Sequence, residues 1–183
     1  VKLQRLEDEI AQLMTPFDQH DLLARLTTIP GVDKKTAQVI IAEVGTDMNR
    51  FANAHHLASW AGLVPGKNES AGRNYSSKTN KANRYLKAAL VEAAHAAGKS
   101  KDNYLASQFR RLAARRGKKR AAVAVAHSIL VIAYHIIKDG TEYVDLGANY
   151  FDERKQEMVQ QQLIRRLEKL GLKVTVEPLD AVA

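Results

Sequence analysis

No cysteine occurs in the 183 residues. That excludes disulfides and thiolate metal sites, and it is compatible with a reducing, cytosolic setting. Aromatic residues are few, at 6%, while alanine is plentiful, a balance that favours closely packed helices. No apolar run reaches the ~20 residues that a membrane span requires. The longest runs over 17 residues, 121–137, and contains His127, Ser128 and His135, so it reads as a buried core helix and no membrane partner is expected. No signal peptide is visible, since the opening Val1-Lys-Leu-Gln is polar. A chain that begins with valine inside a helical pattern is expected to be a fragment of a longer protein or the product of processing.

Acidic residues are scarce where basic ones are dense. Between Lys67 and Arg120 there are fifteen Lys or Arg against only Glu69, Glu92 and Asp102, a net of +12 in a chain whose total is +8. All the excess charge therefore lies in one block. Such a block is either a solvated helix surface or an anion-binding face, most simply for nucleic acid. It adjoins the stretch around which the chain is organised, residues 57–90. This begins apolar (Leu57-Ala-Ser-Trp-Ala-Gly-Leu-Val-Pro65), becomes a polar loop containing Gly66, Gly72, Ser70, Ser76 and Ser77, and ends as a basic helix. A loop of that length in a compact domain is usually functional or disordered. With Lys67, Arg73, Lys78 and Arg84 around its serines, it reads as a place where a hydroxyl meets a phosphate.

The rest of the chain reads as helices. Leu3, Leu6, Ile10, Leu13 and Phe17 recur at 3-4-3-4 spacing, a heptad seam. It is either a coiled-coil arm or an amphipathic helix lying on its own domain, and Pro16 stops it. From Leu22 to Gly45, a short helix, the tight turn Pro30-Gly31, the capping residue Asp33 and a second helix resemble a helix-hairpin-helix. That motif usually has a second glycine where Asp33 stands, and a carboxylate there repels phosphate, so phosphate binding and mere packing both remain open. Trp60 is expected in the core. His127 and His135 share a helix face roughly 12 Å apart, too far for one metal, and read as core histidines. Further helices are expected over 81–97, 102–116 and 118–138. A last helix capped by Asp152 runs to Leu170, and one short strand follows at 172–177. Arg110, Arg111, Arg115, Arg116, Lys118, Lys119 and Arg120 gather at one helix junction.

The blocks Leu26-Thr-Thr-Ile-Pro-Gly-Val32, Arg50-Phe51, Leu57 to Pro65, Glu69-Ser-Ala-Gly72, Lys81-Ala-Asn-Arg-Tyr-Leu86 and Asp145-Leu-Gly-Ala-Asn-Tyr-Phe-Asp152 occur in this order. As a set they closely resemble the C-terminal domain of the DEDD-type insertion-sequence transposases (those of the IS one-ten and IS eleven-eleven elements) and the related Piv-type DNA invertases. The resemblance covers roughly residues 20–178. It implies a DNA recombinase in two catalytic halves. One is an N-terminal ribonuclease-H-like domain with four acidic residues holding Mg²⁺. The other is a C-terminal domain supplying a serine that forms a covalent phosphoserine with DNA. Some members are guided by a structured RNA. Ser70 matches the family's serine, with Ser-Ala-Gly standing for Ser-Gly-Gly, and Ser76 and Ser77 are its competitors.

The expected architecture is all-α. An amphipathic, coiled-coil-like helix over residues 1–20 ends a linker from a missing domain, and a compact helical domain over 21–178 contains the hairpin motif. The expected nucleic-acid contacts are Lys67, Arg73, Lys78, Lys81, Arg84, Lys87 and the seven cations of the junction, with DNA and a possible guide RNA as partners. No metal or cofactor is expected in this fragment, Mg²⁺ being expected in the missing domain, and the fragment alone should not cleave DNA. The resemblance further implies a homo-oligomer acting at the nucleoid in a prokaryotic cytoplasm. The rival reading is a non-catalytic nucleic-acid-binding and oligomerisation module.

Overall fold

In the computed structural model, residues 2–17, 21–66, 69–70, 73–74, 78–79, 82–154 and 156–176 are described. Two compact units are present, Val1–Ala148 and Asn149–Ala183. The first holds α1 (Lys2–Met14), α2 (Leu22–Thr27), α3 (Lys34–Val44), α4 (Ala54–Trp60), α5 (Arg84–Lys99), α6 (Tyr104–Arg116) and α7 (Lys118–Asp139). The second holds α8 (Tyr150–Glu153) and α9 (Gln156–Glu168). Two strands of two residues each, β1 (Glu69–Ser70) and β2 (Arg73–Asn74), pair antiparallel, with Glu69 opposite Asn74 and Ser70 opposite Arg73. The fold is all-α apart from this ladder. The strand expected at 172–177 is not formed over its described part, 172–176. Among the described residues no neighbouring backbone pairs with it there, and the only ladder lies in the serine loop.

The centre of the first unit is α7, which packs against α2, α4, α5 and α6. Its buried residues are Ala121, Ala122, Val125, Ala126, Ile129, Leu130, Ala133, Tyr134 and Ile136, alternating steps of one and three with a last step of two, which cover a wide stripe of a helix. Four of the nine are alanine, which lets neighbouring backbones come close. By length and composition this helix is apolar enough to cross a membrane, but its buried stripe is the core of the helical unit. Helix α5 contributes Leu86, Leu90, Ala93, Ala94 and Ala97, and α6 contributes Leu105, Ala106 and Phe109. A Cβ on Gly98 would lie 2.6 Å from the Phe109 ring, so α5 and α6 meet where a side chain is missing.

Asparagine caps set the starts of three helices. Asn53 accepts from the His56 N–H, Asn83 from those of Tyr85 and Leu86, and Asn103 from that of Ala106, each satisfying donors that a helix start leaves unpaired. The helix expected from Lys81 therefore begins at Arg84, because Asn83 bends out of the helix to cap it. In α3 the capping side chain is Asp33, as expected, and Gly45 ends the helix with its N–H on the Ile41 carbonyl. After α7, Gly140 takes the left-handed conformation, and its carbonyl accepts a hydrogen bond from Arg25 of α2. The connector that follows is held by Asp145. Its carboxylate accepts from the Tyr104 N–H at the start of α6 (3.1 Å) and from the Tyr143 hydroxyl (2.8 Å). Burial, and then this hydrogen bond, push the Tyr143 phenol well above its ordinary value.

Several single-residue expectations are corrected. Trp60 is 44% exposed and packs tilted against Phe51, their ring centroids 5.8 Å apart. Ala54, Leu57 and Ala58 form the buried side of α4, which leaves Trp60 at the edge. His135 lies on the surface and pairs with Asp139 at 2.9 Å, an i,i+4 contact. His127 is half-buried beside His55, their rings 6.1 Å apart, and desolvation, then that neighbour, lowers its pKa. Asp152 lies within α8 rather than capping the last helix. The seam on α1 does not lie on the domain: Leu3, Leu6, Ile10 and Leu13 are exposed by 42–77%, and only Met14 is buried.

The turn between α2 and α3 is the tightest approach in the unit. Gly31 has φ +87°, and a Cβ there would stand 2.3 Å from the Ala93 carbonyl oxygen and 2.6 Å from the Ala97 nitrogen, both backbone atoms of α5. A side chain would be strained by its conformation and would also collide with a helix that cannot yield. Gly31→Ala is expected to destabilise the unit by roughly 3 kcal/mol and to lower its melting temperature by about 6–12 °C in a thermal melt followed by circular dichroism. An unchanged melt would mean that the turn does not press on α5.

Candidate nucleic-acid interface

Seven cations of the basic block gather at one corner. Helix α6 ends and α7 begins at a single residue, Gly117, whose φ of +84° reverses the chain without an intervening loop. The reversal sets Arg110, Arg111, Arg115 and Arg116 of α6 beside Lys118, Lys119 and Arg120 of α7, and all seven are exposed. Arg110 reaches the Ser100 carbonyl at 3.4 Å. Among the described residues, Arg115, Arg116, Lys119 and Arg120 have no ion-pair partner. The two halves of the corner differ electrostatically. Arg115 and Arg116 lie in the last turn of α6, where cations suit the helix dipole, whereas Lys118, Lys119 and Arg120 occupy the first turn of α7, where they oppose it. No acidic residue relieves that turn. The corner is a concentration of repelling charge that a polyanion would neutralise.

Beside it lies the root of the serine loop. Pro65 and Thr79 form an isolated antiparallel bridge, and the Gly66 N–H donates to the Lys78 carbonyl at 2.9 Å. These contacts close the ends of the loop, and β1 and β2 pair within it. Lys87 of α5 donates to the Thr79 hydroxyl, tying the loop to the helix that follows. That helix is itself held at its start: Asn83 caps it through its side-chain oxygen and donates through its side-chain nitrogen to Glu43 of α3. Glu43 and Asn83 carried no weight in the sequence reading, though the Asn-x-x start of a basic helix was there to be read as a cap. Arg84 is exposed, with its guanidinium 4.9 Å from the Tyr85 ring centroid.

The structure thus brings Lys78, Arg84 and Lys87 to the loop root and the other seven cations to the adjoining corner. Ser70 and Arg73 face one another across the two-residue ladder and are described as backbone only. Lys67, Ser76, Ser77 and Lys81 lie outside the described residues. Among the described residues no group of three or more His, Cys, Asp or Glu is arranged to hold a metal.

The α2–α3 turn has a different environment. Ile29 and Val32 are buried, and Gly31 faces the α5 backbone. Of the N–H groups left free at the start of α3, that of Thr36 already donates to Asp33 Oδ1 at 2.8 Å, and this bond holds the Asp33 carboxyl below its ordinary value. A phosphate at this helix start would meet a carboxylate already in place. Asp33→Ala is expected to cost about 1 kcal/mol of stability at neutral pH and to leave DNA affinity unchanged in a binding titration. The contribution of Asp33 is present above its unfolded value of 3.8 and lost as the pH falls through the lower folded one. An affinity that rose on removing the carboxylate would place the turn against phosphate.

If the corner carries the phosphate contacts, Lys119→Gln should lower the slope of log affinity against log salt by about 1. Lys138→Gln, roughly 28 Å away along α7, should leave the slope as it is. Equal effects of the two substitutions on DNA binding would remove the corner from the interface.

Residues 23–110 match the family described as Transposase IS116/IS110/IS902. The match takes in α2 to most of α6, including the serine loop, and stops short of Arg115–Arg120. An uncharacterised 43.6 kDa protein of insertion element IS110 in Streptomyces coelicolor is 31% identical over 134 residues, which is 73% of this chain and 33% of that protein. The pilin gene-inverting protein of Moraxella bovis is 32% identical over 148 residues, 77% of this chain and 45% of the relative. Its counterpart in Moraxella lacunata is 31% identical over 147 residues, with the same coverage. The chain spans between a third and just under half of the length of these curated relatives.

Proposed function

We propose, from the premise that residues 23–110 carry the transposase domain of the IS116/IS110/IS902 family, that this chain is the DNA-binding, serine-supplying part of a transposase or site-specific recombinase. The observation that carries the reading is the junction of two features. A loop bearing Ser70 is closed at its root by the Pro65–Thr79 bridge, and the root adjoins the exposed cations of the α6–α7 corner. The pilin gene-inverting relatives, whose names state a DNA rearrangement, point the same way.

In this reading the Ser70 hydroxyl attacks a DNA phosphodiester. The Oγ–P bond forms, one P–O bond to a deoxyribose breaks, the hydroxyl proton passes to a base, and a deoxyribose hydroxyl leaves. One ester replaces another, so the phosphoserine can pass its phosphate to a new strand without an external energy source. The cations neutralise the phosphate and the charge that develops on it, a role this reading gives also to Arg73, the backbone partner of Ser70 in the ladder. The family resemblance assigns Mg²⁺ to four acidic residues of a ribonuclease-H-like domain. In this reading those acidic residues lie in another part of the full protein, and this chain alone should not cleave DNA. The α2–turn–α3 unit is a helix-hairpin-helix used for packing. The exposed heptad seam of α1 suits a homo-oligomer. A structured guide RNA is a second polyanion that the corner suits, and the place of action is DNA in a prokaryotic cytoplasm.

Covalent capture tests the reading. The protein at the length of its relatives, with Mg²⁺, its element-end DNA and any cognate RNA, should give a protein–DNA adduct on a denaturing gel. The adduct should be lost in Ser70→Ala and kept in Ser76→Ala and Ser77→Ala. An adduct surviving Ser70→Ala would move the nucleophile to another serine or another domain. Tight DNA binding with no adduct from any form would favour a non-catalytic binding and assembly module.

A further inference from the structure

A cavity of about 680 Å³ opens between the α6–α7 corner and the root of the serine loop. Its floor is apolar, built from Leu63 and Pro65 before the loop, Leu112 of α6, and Val123 and Ala124 of α7. Its rim is cationic, with Lys78, Arg115, Arg116, Lys119 and Arg120, and among the described residues no carboxylate lines it. Phosphate oxygens gain nothing from an apolar floor, and a paired DNA backbone crossing the rim would leave that floor wet. The two parts together match a ligand with a flat apolar body and an anionic tail. The volume lies within the ~300–1,000 Å³ of ordinary small-ligand sites.

We propose that this cavity takes up one unstacked nucleotide of a DNA strand. The base lies against Leu112 and Val123, the flanking phosphates lie on the rim cations, and the strand runs on toward the serine hairpin. This rests on the reading of the chain as a DNA recombinase and adds to it a deformation of the DNA. Five residues separate Pro65 from Ser70, at most about 17 Å of chain, or about five stacked nucleotides at 3.4 Å each. The displaced nucleotide therefore lies close in the strand to the phosphate offered to Ser70. Unstacking costs a few kcal/mol, and least where pairing is already broken. Binding should accordingly favour DNA with an unpaired nucleotide. Among the described residues no Asn, Gln, Asp or Glu lines the cavity, and the one neutral hydroxyl among them, Thr79, already accepts from Lys87. The described lining residues hold the base without the paired donors and acceptors that read a base edge.

The test uses this chain and a DNA duplex carrying a single bulged 2-aminopurine, beside the same duplex fully paired and an RNA duplex with the same bulge. The bulged DNA should bind about five-fold more tightly than the paired duplex, with 2-aminopurine fluorescence rising at saturation. Val123→Trp, which fills the cavity and leaves every cation in place, should abolish the preference and the fluorescence rise while keeping paired-duplex affinity within about two-fold. If that variant melts early, Ala124→Met serves instead. Equal binding of bulged and paired DNA would overturn the cavity proposal and leave the DNA-binding reading standing, whereas no binding of either would overturn that reading itself. A preference that survives the filled cavity, or one stronger for the RNA bulge than for the DNA bulge, would also overturn the proposal.

Discussion

The structure depends on how closely helices pack around α7. Its alanines at 121, 122, 126 and 133 remove the side chains that would hold its neighbours apart, so α2, α4, α5 and α6 all reach one helix. The larger residues Ile129, Leu130 and Ile136 then fill the remaining space, each worth about 2 kcal/mol when fully buried. The same principle recurs at Gly31 and Gly98, where a backbone or a ring occupies the place of a missing side chain. Close packing of this kind tolerates little added volume, and that is why the basic corner is held in one geometry.

Stability and the proposed DNA binding make opposite demands at the α6–α7 corner. The Gly117 reversal sets three cations on the positive end of the α7 dipole, beside those of α6. The apolar stripe of α7 absorbs the unfavourable electrostatics. Repulsion is kept at the surface while cohesion is supplied one turn further in, beginning at Ala121. The loop root is arranged in the same spirit: Glu43, Asn83, Lys87 and Thr79 form a chain of hydrogen bonds from α3 through α5 to the loop. The flank of the serine loop is thereby tied to the rigid core.

Much of this was legible in the chain itself. Helical periodicity, the caps at Asp33 and Gly45, the stop at Pro16 and the basic block were all visible, because each depends on neighbours within a turn or two. The blocks shared with insertion-sequence transposases were visible for the same reason: they are short and contiguous. The misses have one cause. Trp60 and His135 were taken for core residues and the residues from 172 for a strand, because each was judged by residue type without knowing which side faces a neighbour. Asn83 was read as part of a helix that it caps, and its partner Glu43 lies forty residues away.

The sequence by itself determined the helical class, the concentration of charge between Lys67 and Arg120, and the serine loop beside it, since local propensity and composition suffice for these. Only the tertiary structure decided which surfaces face which. It turned the α2–α3 hairpin inward onto α5, left the α1 seam in solvent, and closed an apolar cavity under a rim of cations drawn from the loop root and two helices. Those outcomes depend on contacts between residues far apart in the chain, and the angle at which close-packed helices cross sets them, not the preference of any one segment.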